Sequence, residues 1–258
     1  MNKKNSKIFA TAFTFMLACI VFMTIKVHAA SQTIPIPNIN ISVDNANTPQ
    51  QYVGNIKLLI MLTILTLLPS FIMMMTSFVR IVVVFSFLRN AMGTQQAPPN
   101  QVLIGLALFL TVFIMQPVYN KINSDAIQPY MQNKITQDQA IEAGSKPLRE
   151  FMLRQTRKKD FQLFIDAAKL NYKVTKDNAP LYVVVPAYMI SELKTAFEIG
   201  FLIYIPFMLI DLVVASVLMS MGMFMLSPPM ISLPFKLLLF VMVDGWYLLV
   251  KSLMISFS

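Results

Sequence analysis

Apolar and polar residues follow one another along this chain in long blocks. Leu58 to Val79 runs 22 residues without a charge, Val102 to Val118 runs 17, and Ile199 to Ile210 continues past Asp211 to Ser227. Apolar segments of about 18 residues or more read as transmembrane helices. The pattern therefore predicts an all-α integral membrane protein built from about four long hydrophobic helical blocks, some kinked or hairpin-like. Block one extends from Ile56 to about Leu88 and carries Pro69 and Arg80 inside it. It exceeds what one span needs, and a kinked helix or two shorter helices both fit. Block two is Val102 to Val118, preceded by the breaker-rich stretch RNAMGTQQAPPNQ from Arg89 to Gln101. Block three runs from Leu181 to about Leu226, interrupted by Glu192, Lys194, Glu198 and Asp211. Block four runs from Met230 to Phe257, with Lys236 and Asp244 inside.

Two polar stretches separate these blocks from the rest. Ser31 to Gln51 is rich in Asn, Ser, Gln and Thr and punctuated by Pro35, Pro37 and Pro49, a linker or peripheral loop. Tyr119 to Pro180 holds 11 basic and 7 acidic residues, with helical spacing at Phe161, Phe164, Ile165 and Ala168. It predicts a small polar helical domain between blocks two and three, outside the hydrocarbon layer.

At the N-terminus, Lys3, Lys4 and Lys7 precede an apolar run from Ile8 to Ile25, and Val27-His28-Ala29 has the small-residue pattern of a cleavage site. The bland alternative is an uncleaved anchor. The expected organisation is a signal peptide over 1–29, a polar N-terminal segment over 30–55, a first hydrophobic helical pair over 56–118, an extracytoplasmic polar helical domain over 119–180, and a second hydrophobic helical pair with a Met-rich loop over 181–258. The positive-inside rule would place the basic domain on the other side, but that rule weakens for loops of about 60 residues. The signal peptide decides the orientation.

Composition narrows the chemistry. Hydrophobic residues make up 56% and charged residues 13%, against roughly 25% charged in soluble domains. The one histidine, His28, and the one cysteine, Cys19, both lie in the segment expected to be removed. Without them, imidazole or thiolate metal sites, cysteine nucleophiles and Ser-His-Asp triads are excluded, and no cofactor is expected. Net charge falls from +9 to +5 on loss of Lys3, Lys4, Lys7 and Lys26. No basic patch interleaved with aromatics points to nucleic acid. No GxxxxGK[ST] phosphate loop supplies an energy source. An intramembrane aspartyl protease built on Asp211 and Asp244 lacks that family's glycine-x-glycine-aspartate pattern.

Two constellations remain. Arg80, Glu198, Asp211, Lys236 and Asp244 are ionisable groups inside apolar blocks, each costing roughly 2.5 to 3.5 kcal/mol at mid-membrane. They line a polar conduit or ion path, or they pair internally, for example Arg80 with Asp211 or Lys236 with Asp244. The second is MSMGMFMLSPPM, with Met219, Met221, Met223, Met225 and Met230. In an extended segment the alternate methionines share one side, and Gly222 with Pro228-Pro229 argues that the helix breaks there. Flexible thioethers from several subunits would form a deformable apolar seal; ordinary core filling is the plain alternative.

Pro69 to Thr111, reading PSFIMMMTSFVRIVVVFSFLRNAMGTQQAPPNQVLIGLALFLT, resembles the FliP family of flagellar type III export-gate proteins. PAYMISELKTAFEIGF (Pro186 to Phe201), IPFMLIDLVVASVLMSMGMFMLSPP (Ile205 to Pro229) and LPFKLLLFVMVDGW (Leu233 to Trp246) carry the same resemblance. It implies a subunit of the bacterial cytoplasmic membrane, in the flagellar basal body, that forms a ring of about five copies with FliQ and FliR. FlhA and FlhB are implied as neighbours and unfolded flagellar proteins as cargo. It further implies a pore constriction at Met219, Met221, Met223, Phe224 and Met225, and places Arg80, Arg89, Glu198, Asp211, Lys236 and Asp244 among the intramembrane and assembly charges. Phe224 stands where this family often has methionine, and Glu198 where it more often has glutamine. Helices of such a subunit are also expected to pack into a raised assembly. The competing class is an ion channel or small-solute carrier using Glu198, Asp211 and Lys236 as relay groups.

Overall fold

A computed structural model describes residues 49–94, 96–169, 175 and 178–257. The expected signal peptide and most of the polar segment after it lie outside the described residues. By contacts the chain divides into Met1–Ile56 and Lys57–Ser258. Of the first unit, the described residues contribute only the start of a helix; the rest of the description concerns the second.

All the regular structure among the described residues is helical. Helix α1 (Pro49–Met74) begins before the apolar run does and carries Pro69 without a break. Nearly all its side chains from Ile56 to Met74 are exposed. Block one is two helices: α2 (Phe78–Met92) follows a break at Met75 to Ser77, where the Met75 and Thr76 amides still bond back to Phe71, Ile72 and Met73. The end of α2 is set by Gly93, whose φ of 77° is readily reached only without a side chain.

Block two is α3 (Asn100–Ile122), which runs on through a π-helical turn (Asn123–Ile127) into the short α4 (Gln128–Met131). The polar stretch continues with α5 (Gln137–Gln155) and α6 (Lys158–Ala168). Helix α5 opens on a capping box in which Thr136 and Gln139 satisfy each other's backbone amides. Helix α6 carries the spacing seen at Phe161, Phe164, Ile165 and Ala168.

Block three is one helix, α7 (Leu181–Ser220), of 40 residues. At 1.5 Å per residue it is about 60 Å long, twice a hydrocarbon core. Block four is α8 (Pro228–Met242) and α9 (Gly245–Ile255), bent by 62° between them. Ile56–Met74, Asn100–Met131 and Leu181–Ser220 are each long and apolar enough to cross a membrane, and the α8–α9 pair qualifies as a fourth, broken span.

Helix α2 is the centre of the packing. Its Ile81, Val84, Phe85 and Leu88 are buried in one core with Leu103, Ala107 and Met115 of α3 and Val184, Tyr188 and Ala196 of α7. Helices α2 and α7 run parallel: Thr76 meets Tyr188, Arg80 meets Glu192, and Phe87 meets Phe197 and Tyr204. The Phe87 ring of α2 packs directly on Gly200 of α7, where an added Cβ would lie 2.5 Å from it. Trp246 of α9 closes the core edge-on against Phe85 and Phe240.

Candidate functional site

The methionine segment forms a turn, not an extended strand. Helix α7 ends when the Met223 amide donates to the Leu218 carbonyl (2.9 Å) and the Gly222 amide to Met219 (3.1 Å). That is the paired bonding of a Schellman cap, which places a left-handed residue at Gly222, here with φ 74°. Leu226 then bonds back to Met223, and Pro228 sets the first residue of α8. Alternation therefore does not align the methionines on one side. Met219 belongs to the last turn of α7, while Met221, Met223, Phe224 and Met225 wrap around the bend. All are exposed, Phe224 to 77% and Met225 to 99%. A large apolar tip so free of intrachain contact is available to close against other surfaces.

This tip sits on an overhang. Helix α2 stops at Met92, whereas α7 continues well past it. Beyond Asp211 only Leu218 of α7 is buried. Between the arms of the α7–α8 hairpin lies an open, wholly apolar groove of about 530 Å³ walled by Val213, Val217, Ile231 and Phe235, among others.

The charged residues expected to share one path fall into separate pairs, and the two internal pairings suggested by sequence are both replaced. Arg80 bonds Glu192, not Asp211. Its Nε donates to Glu192 Oε2 at 2.8 Å, and its Nη2 donates to Glu192 Oε1 and to Gln155 Oε1 (3.1 Å). Its Nη1 reaches the carbonyl and hydroxyl oxygens of Ser256 at 3.1 and 3.0 Å, while the guanidinium lies 3.9 Å from the centre of the Phe257 ring. All five donors are thus met, as a fully buried guanidinium requires. Lys236 bonds Asp211, not Asp244: Nζ is 2.6 Å from Asp211 Oδ2 and 3.4 Å from the Ala91 carbonyl, and the Ser232 hydroxyl donates to the other Asp211 oxygen. Asp244 instead stands exposed at the bend between α8 and α9, with φ 51°. The reason is register. One turn of α7 brings Glu192 level with Arg80, and the hairpin returns Lys236 to the level of Asp211.

Glu198 pairs with Lys194 one turn away on an exposed face of α7. Arg89 bonds Asn100 across the α2–α3 connection. Glu192, read in the sequence only as an interruption of block three, is the buried anion. Its signal was position, eight residues or about two turns before the Gly200 contact on the same parallel pair.

The polar stretch joins this cluster through Gln155 of α5 and, beside it, through α6. The Ser191 hydroxyl donates to Asp160 at 2.6 Å, Arg157 Nε donates to the same oxygen at 2.8 Å, and the Arg157 amide donates to Ser191. Burial alone would raise the Asp160 carboxyl; the bonds from Ser191 and Arg157, with the charges of Arg157 and Lys159, outweigh it and hold the group below its ordinary value. No group of three or more His, Cys, Asp or Glu side chains among the described residues could hold a metal ion.

Comparison with known proteins gives one family. Residues 61–253 match the FliP family. The flagellar biosynthetic protein FliP of Bacillus subtilis strain 168 is 55% identical over 217 residues, covering 84% of this chain and 98% of its own length. The protein of the same name from Aquifex aeolicus is 52% identical over 225 residues, 86% of this chain and 92% of that one. That of Pectobacterium carotovorum is 54% identical over 211 residues, covering 82% of each.

Proposed function

The chain belongs to the FliP family, and from that premise we propose that it is a membrane-embedded subunit of the flagellar protein export apparatus whose methionine turn forms the constriction of a polypeptide conduit. The observation that carries this reading is the tip of the α7–α8 hairpin, where Met223, Phe224 and Met225 are exposed at the end of a helix overhang. Unbranched thioethers change rotamer at little cost and reseal after deformation. Several copies around one axis would bring such tips together into an apolar plug. A ring of about five copies with FliQ and FliR, next to FlhA and FlhB in the cytoplasmic membrane, is the assembly the reading requires. The chain then conducts unfolded cargo without chemistry of its own.

The ion-carrier reading has less support in the geometry. Glu198 and Asp211 are 13 residues apart on α7, about 20 Å along the axis. Each is already paired with a different lysine. A relay would have to cross that gap with only the Tyr204 phenol on the helix between them.

The test replaces Met223, Phe224 and Met225 together with alanine in the assembled complex. The expected outcome is a membrane leaky to ions and small solutes with assembly intact, read by proton-motive-force dyes and by native mass spectrometry with the FliQ and FliR partners. A variant that assembles and stays tight would remove the turn from the constriction.

A further inference from the structure

We infer that Asp211 and Lys236 are positioning residues for the methionine turn: their ion pair, seated on the Ala91 carbonyl, fixes where the overhanging hairpin presents that turn. This rests on the constriction reading above and adds the device that holds the constriction in place.

The argument begins at the end of α2. Its last carbonyls lack intrahelical donors, and the negative end of the helix dipole favours a cation there. Lys236, on α8, supplies that cation at the Ala91 carbonyl and turns its remaining capacity to Asp211 on α7. Three helices are therefore joined at one ammonium group. Ser232, one turn earlier on α8, holds the other Asp211 oxygen, so the carboxylate has one orientation.

Nothing comparable acts beyond this point. Among the described residues, these are the only side-chain hydrogen bonds between α7 and α8. Farther out the arms are separated by the apolar groove, and the next buried residue of α7 is Leu218. Apolar contact across a groove is non-directional and admits many nearly equal arrangements, whereas an ion pair with a buried ammonium, a half-buried carboxylate and fixed acceptors admits few. The turn lies about 15 Å farther along α7, ten residues past Asp211. A small rotation at the tie becomes a larger displacement at the tip.

The expected behaviour separates position from folding. Replacing both partners of a buried pair with apolar residues is often neutral for stability, while removing one leaves a stranded charge. The informative variant is accordingly Asp211→Leu with Lys236→Met, in a Cys19→Ser background that carries spin labels at Asn90→Cys on α2 and Met225→Cys on the turn. Measured by pulsed dipolar spectroscopy in the complex, the label-to-label distance distribution should shift and broaden about twofold. Leak in the unlabelled pair variant should rise about tenfold, the span between a minor state at 1% and one at 10%.

Lys236→Arg, which keeps the charge and the reach, should retain both values. Reversing the pair, Asp211→Lys with Lys236→Asp, should not restore them, because it sets a carboxylate against the Ala91 carbonyl. An unchanged distance distribution in the double apolar variant would overturn the inference. The alanine variant of Met223, Phe224 and Met225 is the control for the parent reading. If it leaks while the pair variant leaves the distance unmoved, only the positioning role fails. If it stays tight, the constriction reading fails, and the distance measurement still decides whether the pair sets the tip.

Discussion

Arg80 shows how a single buried residue organises a membrane-embedded core. It is 2% exposed and its partner Glu192 is fully covered, yet every donor has an acceptor drawn from α5, α7 or the residues after α9. Removing either charge leaves the other buried and uncompensated. Arg80→Ala or Glu192→Gln is therefore expected to destabilise by about 3–5 kcal/mol, and the double Arg80→Met, Glu192→Leu variant by much less; thermal unfolding of the detergent-extracted complex checks the order. Sequence placed Arg80 inside an apolar block and so required a partner, but the choice of partner depends on helix register. Parallel packing of α2 and α7 decides it, and nothing local to Arg80 encodes that.

At the scale of elements, the long helices were legible and their breaks only partly so. Gly222 and Pro228-Pro229 announce the end of α7 and the start of α8, because a left-handed cap and a missing amide are written into those residue types. The break between α1 and α2 falls at Met75-Thr76-Ser77, which contains no Gly or Pro; the Pro69 inside α1 points to the wrong place. Thr76 and Ser77 are buried there, and the Thr76 carbonyl accepts the Tyr188 hydroxyl at 2.8 Å. Tertiary contact, not local propensity, therefore marks the break. The close approach of α2 and α7 gives a direct test. Gly200→Ala must displace Phe87 and should cost about 1–3 kcal/mol. Gly105→Ala, with open space around it, should stabilise by up to about 1 kcal/mol. Paired melting curves of the two variants measure the contrast.

For the whole molecule, the junction between the polar stretch and the apolar helices depends on Asp160. Its carboxylate is favoured in the folded state, so its folded value lies below the unfolded one. The stability it contributes is complete above the ordinary carboxylate range and is lost as pH falls through the folded value. Acid titration of the wild-type chain should thus loosen α6 from α7 first, and Asp160→Asn should remove that part of the pH dependence; hydrogen exchange of the α6 amides at several pH values reads it. The helices α5 and α6 were foreshadowed by polar composition and helical spacing, whereas their attachment to α7 was not, since Ser191 and Asp160 look like ordinary helix-surface residues. One further consequence follows from the bonds of Arg80 to Ser256, 176 residues away. Because a ribosome delivers the chain from its N-terminus, α2 is made with all five of its guanidinium donors still lacking their final acceptors, and the two on Nη1 wait longest. Residues made after α9 complete a charge laid down in α2, so this core cannot close until both ends of it have been translated.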